Sequence, residues 1–343
     1  MDQLLPEEYS LGKEYVLPDE QTYIDEIIRV FKKKLPDYYP KGKVKRMFHP
    51  KIHGLVKANF IVRPDLESIY QTGLFIPGKE YPCWIRFSNA KKKPSPDIKK
   101  DMRGMAIKLV GVPGKKLLEH DADAVTQDFL LVTAKTLQTR SVRDFQKSLS
   151  ALMGGGVKLI WYALTHPMVI IRSIKQISRC NNLLDTSFFS TTPYRFGKDQ
   201  SLAVKYAVVP SHKKEPSKPE KPGADFLKEY LINDLATNEF DFDFMVQFQQ
   251  DAIQMPIEDP TVEWTSAFIK VATIKIPKQI FNSAAQEAYG ENLSFTPWHS
   301  IPEHQPLGGV NRARKAVYIA LSAFRHELNN KQESEPIAME SFS

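Results

Sequence analysis

The chain has 343 residues, of which 42% are hydrophobic and 25% charged, and its formal net charge is +7. This length allows one large or two ordinary domains, and no apolar run is long enough to predict a membrane-spanning helix. The two cysteines give no disulfide framework, and the acidic N-terminus lacks the apolar core of a secretory signal, so we expect a cytoplasmic protein. The lysines are dispersed and no nucleic-acid module is recognised, which predicts no nucleic-acid partner.

Residues 1–40 are predicted to be an N-terminal arm followed by a helix. The first 19 residues are polar and broken by prolines. Between residues 20 and 34 apolar side chains recur at helical spacing, and three lysines close the segment before Pro36. The sequence therefore predicts that this helix precedes the main domain rather than belonging to it.

Residues 41–329 are predicted to form a single domain, in which β-rich runs flank a helical insertion at about 140–180. The insertion is predicted to contain two helices, Val142–Met153 and Val157–Ile177, separated by three glycines, and a short helix is predicted at Tyr230–Ala236. An exposed loop is expected at 211–223 and a flexible tail at 330–343. The predicted strands are Leu55–Val62, Tyr81–Phe87, Met105–Val110, Ala124–Val132, Thr191–Phe196, Leu202–Val209, Phe240–Gln249 and Thr265–Lys275. This order predicts an α+β fold, an antiparallel β-barrel with attached helices, rather than alternating β-α units.

A helix is predicted to open after Gly308-Gly309 and to close the domain. Arg314 and Tyr318 are four residues apart, so their side chains meet on one face of this helix. A neighbouring cation stabilises a phenolate, and a phenolate is a good ligand for ferric iron. Taken alone, the pair also fits an ordinary amphipathic helix that carries a surface arginine.

Five segments in order resemble the catalase superfamily. The Arg314-x-x-x-Tyr318 pair, with Arg325 following, resembles the proximal haem segment, and Arg46-Met47-Phe48-His49 with Gly54 resembles the distal segment. Trp84–Ser88 resembles the R-F-S strand end, and Asp101–Leu109 resembles the D-x-R-G-x-A-x-K turn and strand. The approach from Phe295 to Gly309 is similar to that of short catalase-related haem proteins of bacteria.

The resemblance implies a catalase-like haem domain with a C-terminal proximal helix and a ferric haem b ligated by a tyrosinate. His49 would be the distal acid–base residue, with Ser88 orienting its imidazole. His53, four residues on, is a rival for His49. The His299 and His304 pair lacks further ligands and predicts no metal site. The cofactor-binding residues implied are Arg46, Arg86, Arg314, Tyr318 and Arg325, with Tyr318 the metal ligand.

One position departs from the family pattern. The segment Thr126–Val132 leads to Thr133, where the family has an asparagine that helps to hold hydrogen peroxide. A hydroxyl cannot replace the two donors of an amide, which favours organic hydroperoxides over rapid dismutation of hydrogen peroxide. Thr133 is therefore a third candidate catalytic residue, with a role in the choice of substrate.

The leading functional hypothesis is a short catalase-related haem peroxidase that uses a hydroperoxide and a small organic reductant through a ferryl intermediate. A slow true catalase, a fatty-acid hydroperoxide lyase or allene oxide synthase, and a non-enzymatic haem-binding protein are alternatives. The helix predicted at Val157–Ile177 is apolar and basic, as a lipid-surface element would be, although a core helix has the same pattern. The sequence leaves open a peripheral lipid contact and a homodimer.

Overall fold

A computed structural model describes residues 9–91, 93–212, 222–333 and 335–342. The strands within these ranges are β1 (Lys51–Val62), β2 (Glu80–Asn89), β3 (Arg103–Val110), β4 (Thr126–Val132), β5 (Phe188–Phe189), β6 (Tyr194–Arg195), β7 (Ala203–Pro210), β8 (Phe240–Phe248) and β9 (Phe268–Ile276). The helices are α1 (Glu20–Lys34), α2 (Val142–Gly154), α3 (Gly156–Thr165), α4 (Pro167–Gln176), α5 (Phe226–Thr237), α6 (Ala284–Asn292) and α7 (Gly309–Asn329).

The strands form an antiparallel sheet in the order β5-β4-β3-β2-β1-β9-β8-β7-β6, and β5 also pairs with β7. The second pairing of β5 closes the sheet into a barrel, with β6 outside the closed ring. The prediction of an α+β fold built on an antiparallel β-barrel is therefore confirmed. Closure removes the free edges through which an open sheet would pair with other chains.

Alternation along the strands separates the barrel interior from its outer surface. In β1 the side chains of Val56, Ala58, Phe60 and Val62 join the main core, whereas Leu55 packs in a separate outer cluster. Aromatic rings fill the interior: the ring of Phe244 lies 4.9 Å from those of Phe60 and Phe129 between centroids. Because side chains fill the barrel, a larger ligand has to bind outside it.

Three helices cover part of the outer surface of the barrel. Helix α1 packs against α2 and α7, and all three contribute to a second hydrophobic cluster. The periodic apolar residues of α1 explain this packing, because Ile24, Ile27 and Phe31 lie on one buried face. A cavity remains between these helices and the strands.

Two of the predicted elements differ from the structure. The helix predicted at Val157–Ile177 is two helices, because Pro167 starts α4 and His166 joins it to α3. Proline lacks the backbone hydrogen that a continuous helix would need there. The strand predicted at Thr191–Phe196 is reduced to β6, because Thr191 has a φ of 61°, outside the β region. Most of the predicted exposed loop 211–223 lies outside the described residues.

The C-terminal segment contacts the barrel, although the sequence predicts a flexible tail. The carboxylate of Glu335 lies 2.8 Å from the buried ammonium of Lys108, which also pairs with Asp128. Met339 and Phe342 pack against the outer cluster around Trp84. No helix in the described ranges combines the length and apolarity needed to cross a membrane.

Candidate functional site

A cavity of about 370 Å³ lies between the outer face of β2, β3 and β4 and helices α1, α2 and α7. Much of its wall is apolar, with contributions from Phe31, Leu130, Val142 and Val317. The cavity brings together seven of the eight residues predicted to form the site. These are Arg46, His49, Ser88, Arg86, Arg314, Tyr318 and Arg325.

His49 lies just before β1 and is held in one orientation. Its φ of 58° is in the left-handed region, which is uncommon for a residue other than glycine. Its Nδ1 lies 3.0 Å from Ser88 Oγ, and Arg86 donates a hydrogen bond to its carbonyl oxygen at 3.0 Å. Burial, together with the positive charges of Arg86 and Arg314, lowers the pKa of His49 to about 3. The imidazole is therefore neutral near pH 7 and able to accept a proton.

Gly104 gives the ring of His49 the space that it occupies. It pairs with Ser88 across β2 and β3. A Cβ atom at Gly104 would lie 2.5 Å from two ring atoms of His49 and 3.0 Å from Ser88 Oγ. The sequence analysis assigns Gly104 only to the segment that resembles the D-x-R-G-x-A-x-K turn and strand, although a glycine inside a strand often marks such a close approach.

We expect Gly104→Ala to displace the imidazole of His49, because the methyl group has no room beside the ring. The change should lower the free energy of unfolding by about 1–3 kcal/mol, the usual cost of overpacking. Denaturant unfolding measures this effect. Gly223→Ala is the matched control, since its nearest heavy-atom contact would be an ordinary 3.5 Å. An unchanged free energy of unfolding in Gly104→Ala would show that the ring has room for the methyl group.

Three arginines, Arg46, Arg86 and Arg325, lie together on one part of the cavity wall. Arg46 donates to the carbonyl oxygens of α6 and of Leu293, and Arg325 donates to the Glu291 carbonyl at 2.8 Å. Burial lowers the pKa of Arg46 and Arg86, and burial with the nearby charge of Arg46 lowers that of Arg325 to about 9. Nε of Arg86 is buried without a hydrogen-bond partner among the described residues. This part of the wall is suited to an anionic ligand.

Sequence reasoning missed Glu291 and the helix α6 that carries it. The Glu291 carboxylate lies 3.5 Å from Arg46, and the charges of Arg86 and Arg46 lower its pKa despite its burial. A signal for α6 was present in the sequence. Ser283 caps the helix by accepting a hydrogen bond from the Gln286 amide, in the S-x-x-Q pattern of a capping box.

Tyr318 lies on the cavity wall contributed by α7, next to Arg314. The guanidinium of Arg314 is 3.5 Å from the Tyr318 hydroxyl and 5.4 Å from the centre of its ring. Arg314 also donates to Thr192 Oγ1 at 3.3 Å and to Asn311 Oδ1 at 3.2 Å, so its position is fixed from two sides. The pair predicted from four-residue spacing is therefore present, and it faces the same cavity as His49.

Thr133, the eighth predicted site residue, is not among the cavity-lining residues. Its hydroxyl accepts a hydrogen bond from the Arg103 amide at 3.1 Å, and its own amide donates to the Arg103 carbonyl. Val132, one residue earlier, lines the cavity instead. The Thr133 hydroxyl is therefore hydrogen-bonded to the backbone at the end of β4. This position does not favour a role for Thr133 in holding a peroxide.

The other histidines considered in the sequence lie away from the cavity wall. His53 is buried on β1, where Nε2 is 2.7 Å from Asn89 Oδ1. His299 Nε2 lies 3.4 Å from an Asp121 carboxylate oxygen, and His304 Nε2 accepts a hydrogen bond from the Leu74 amide at 3.3 Å. Among the described residues no cluster of three histidine, cysteine or carboxylate groups could hold a metal ion. His49 is therefore the histidine placed to act in the cavity.

The sequence matches no family model and no curated protein. Solved structures nevertheless share its fold. A fungal catalase is 17% identical with a TM-score of 0.62, over 92% of this chain and 66% of that chain. A bacterial catalase is 16% identical with a TM-score of 0.63, over 92% and 63% of the two chains. Catalase A from Saccharomyces cerevisiae is 16% identical with a TM-score of 0.64, over 95% and 68%. The chain spans about two thirds of the length of these catalases, and it has a catalase-like fold.

Proposed function

We propose that this chain is a haem-dependent peroxidase of the short catalase-related kind, acting on hydroperoxides. One observation carries the proposal: a single cavity is lined by a half-buried imidazole among positive charges, by a phenol beside a guanidinium, and by a cluster of arginines. These are His49, Tyr318 with Arg314, and Arg46, Arg86 and Arg325. The likeness to catalases in fold supports the same class of chemistry.

The residues present fit a haem b. Arg86 Nε is buried without a partner among the described residues, as expected where an anionic ligand completes the site. In the proposed complex Arg46, Arg86 and Arg325 would bind the two propionates, because guanidinium groups pair well with carboxylates. Tyr318 would ligate the ferric iron, and Arg314 would stabilise its phenolate. The apolar wall would cover the faces of the porphyrin.

In this proposal a bound ferric haem would supply the open iron position and the redox chemistry that cleave the O–O bond. His49 would accept the hydroperoxide proton and return it to the departing oxygen, which leaves as water or an alcohol. Ser88 would hold the ring by accepting a hydrogen bond from Nδ1, so that the lone pair of Nε2 stays free. A small organic donor would supply two electrons and two protons, and the second oxygen atom would leave as water.

We infer the preferred substrate from the residues of the cavity wall. The hydroxyl of Thr133 bonds the Arg103 backbone and is not part of the cavity wall, whereas apolar side chains of the wall can bind the tail of an organic hydroperoxide. We expect haem-loaded protein to oxidise guaiacol rapidly with cumene hydroperoxide and to evolve little oxygen from hydrogen peroxide. A donor-oxidation assay and an oxygen electrode, used on one preparation, measure the two activities.

Gln138 allows a further test of peroxidase against catalase activity. Its side chain supplies a carboxamide among the cavity-lining residues described. Gln138→Leu should leave donor oxidation with cumene hydroperoxide nearly unchanged. Vigorous oxygen evolution that disappears in Gln138→Leu would identify Gln138 as the amide that holds hydrogen peroxide. The protein would then be a true catalase rather than a peroxidase.

A further inference from the structure

Helices α3 and α4 present apolar side chains to solvent. On α3 the exposed fractions of Val157, Trp161 and Leu164 are 83%, 68% and 71%, and their spacing places them on one side of the helix. On α4 the side chains of Met168, Ile171 and Ile174 are also exposed. The α3–α4 face consists of Val157, Ile160, Trp161, Leu164, Met168, Ile171 and Ile174. A cluster of this kind on a folded protein marks a site of interaction.

The charged side chains carried by α3 and α4 are all positive. The sequence has no aspartate or glutamate between Asp144 and Asp185. Lys158, Arg172 and Lys175 lie on the two helices, and none of them has a carboxylate within ion-pair distance among the described residues. Apolar and aromatic side chains combined with unpaired cations are typical of helices that lie in the headgroup region of a bilayer. The face therefore complements an anionic lipid surface.

The lengths of the helices fit binding along a surface. Each helix has 10 residues, which corresponds to about 15 Å, whereas the hydrocarbon core of a bilayer is about 30 Å thick. The chain breaks at His166 and Pro167 into two short helices. Both can therefore lie in the plane of the membrane–water interface.

We propose that the α3–α4 face docks on the surface of an anionic lipid bilayer, with Trp161 and Leu164 inserted at the headgroup boundary. Lys158, Arg172 and Lys175 would then lie near the lipid phosphates. This inference does not depend on the proposed peroxidase function. A second copy of the chain is a poorer occupant, because a symmetric contact would bring two sets of these cations together without carboxylates from either face.

Helix α3 contacts α2, whose first turn contributes Val142 and Phe145 to the cavity wall.

Trp161 gives a direct measurement of docking. The chain has four tryptophans, and Trp84, Trp264 and Trp298 are buried, so Trp161 dominates the fluorescence accessible to acrylamide. We expect vesicles of phosphatidylcholine with phosphatidylserine to reduce acrylamide quenching and shift the emission to shorter wavelength. Vesicles of phosphatidylcholine alone should have a much smaller effect, and added salt should weaken the binding.

Co-sedimentation of the full chain with the same vesicles tests which residues bind. The double variant Trp161→Ser with Leu164→Ser should lower the affinity for anionic vesicles by tenfold or more. The double variant Lys158→Gln with Lys175→Gln should lower this affinity by about fivefold for each cation removed. The matched control is Ile69→Ser with Ile280→Ser, which removes two apolar side chains of 66% and 84% exposure from other elements. The control should bind like the unchanged chain, and far-ultraviolet circular dichroism verifies that each variant is folded.

Two results would overturn the proposal. In the first, anionic vesicles leave Trp161 as open to acrylamide as it is in buffer. In the second, sedimentation of the free protein shows a dimer that Trp161→Ser with Leu164→Ser dissociates, while vesicle binding is absent. The second result would assign the face to self-association.

Discussion

Tyr318→Phe is expected to abolish the visible spectrum that the proposed tyrosinate ligation would give to protein loaded with ferric haem. The phenol is held beside Arg314 on the cavity wall, and phenylalanine keeps the shape of the ring while removing the oxygen that would bind iron. Haem affinity should fall at least about tenfold. Titration of the purified protein with ferric haem, followed by its visible spectrum, measures both changes.

The matched control for this substitution is Tyr194→Phe. Tyr194 is also buried near Arg314, but it is not among the cavity-lining residues. The control should keep the visible spectrum of the unchanged chain. An unchanged spectrum in Tyr318→Phe would show that another group binds the iron.

His49→Ala is expected to lower hydroperoxide turnover by about two to four orders of magnitude, the usual contribution of a positioned acid–base group. The variant should still bind haem, because the arginines and Tyr318 are untouched. His53→Ala is the comparison. Its imidazole bonds Asn89 inside the barrel wall, so its loss should reduce the free energy of unfolding while leaving the chemical step in place. The opposite outcome, with His53 essential and His49 dispensable, would transfer the acid–base role to His53.

The pH profile gives a second measurement of the His49 assignment. Burial and the neighbouring cations lower the pKa of His49 to about 3, so the imidazole keeps its free lone pair as the pH falls below 7. We expect kcat/KM to stay flat between about pH 8 and pH 5, whereas a base with an ordinary histidine pKa of about 6.5 would lose activity in that interval. A loss of activity centred near pH 6.5 would mean that the working base is less buried than His49.

The fold was largely predictable because its signals are local. Alternating apolar residues in β1 and the helical spacing in α1 indicate the correct elements, since one face of each is buried. The second insertion helix was predicted too long because its apolar pattern continues through Pro167. The strand β5 has only two residues, too few to leave a period in the sequence. The pairing of Glu335 with Lys108 joins distant parts of the chain and leaves no local signal either.

In the candidate site, too, local contacts are predictable from the sequence and contacts between distant segments are not. Arg314 and Tyr318 are neighbours on one helix, so their meeting follows from spacing. The position of Thr133 depends on the residue at which β4 ends and on the hydrogen-bond partner of its hydroxyl. A short sequence motif predicts neither of these. The same is true of Gly104, whose importance comes from a ring contributed by another segment.

The order of strands in the barrel has a consequence for how the molecule folds. Strands β1 to β4 pair with their neighbours in sequence, as do β7 to β9, so each group can form through hairpins. The contact of β1 with β9 joins Asn59 to Lys275 and must overcome the entropy of closing a very long loop. His49 precedes the first group and Tyr318 follows the second. We therefore expect the cavity to be among the last parts of the protein to assemble, after synthesis of the C-terminal helix, so that capture of a ligand there is a late event in folding.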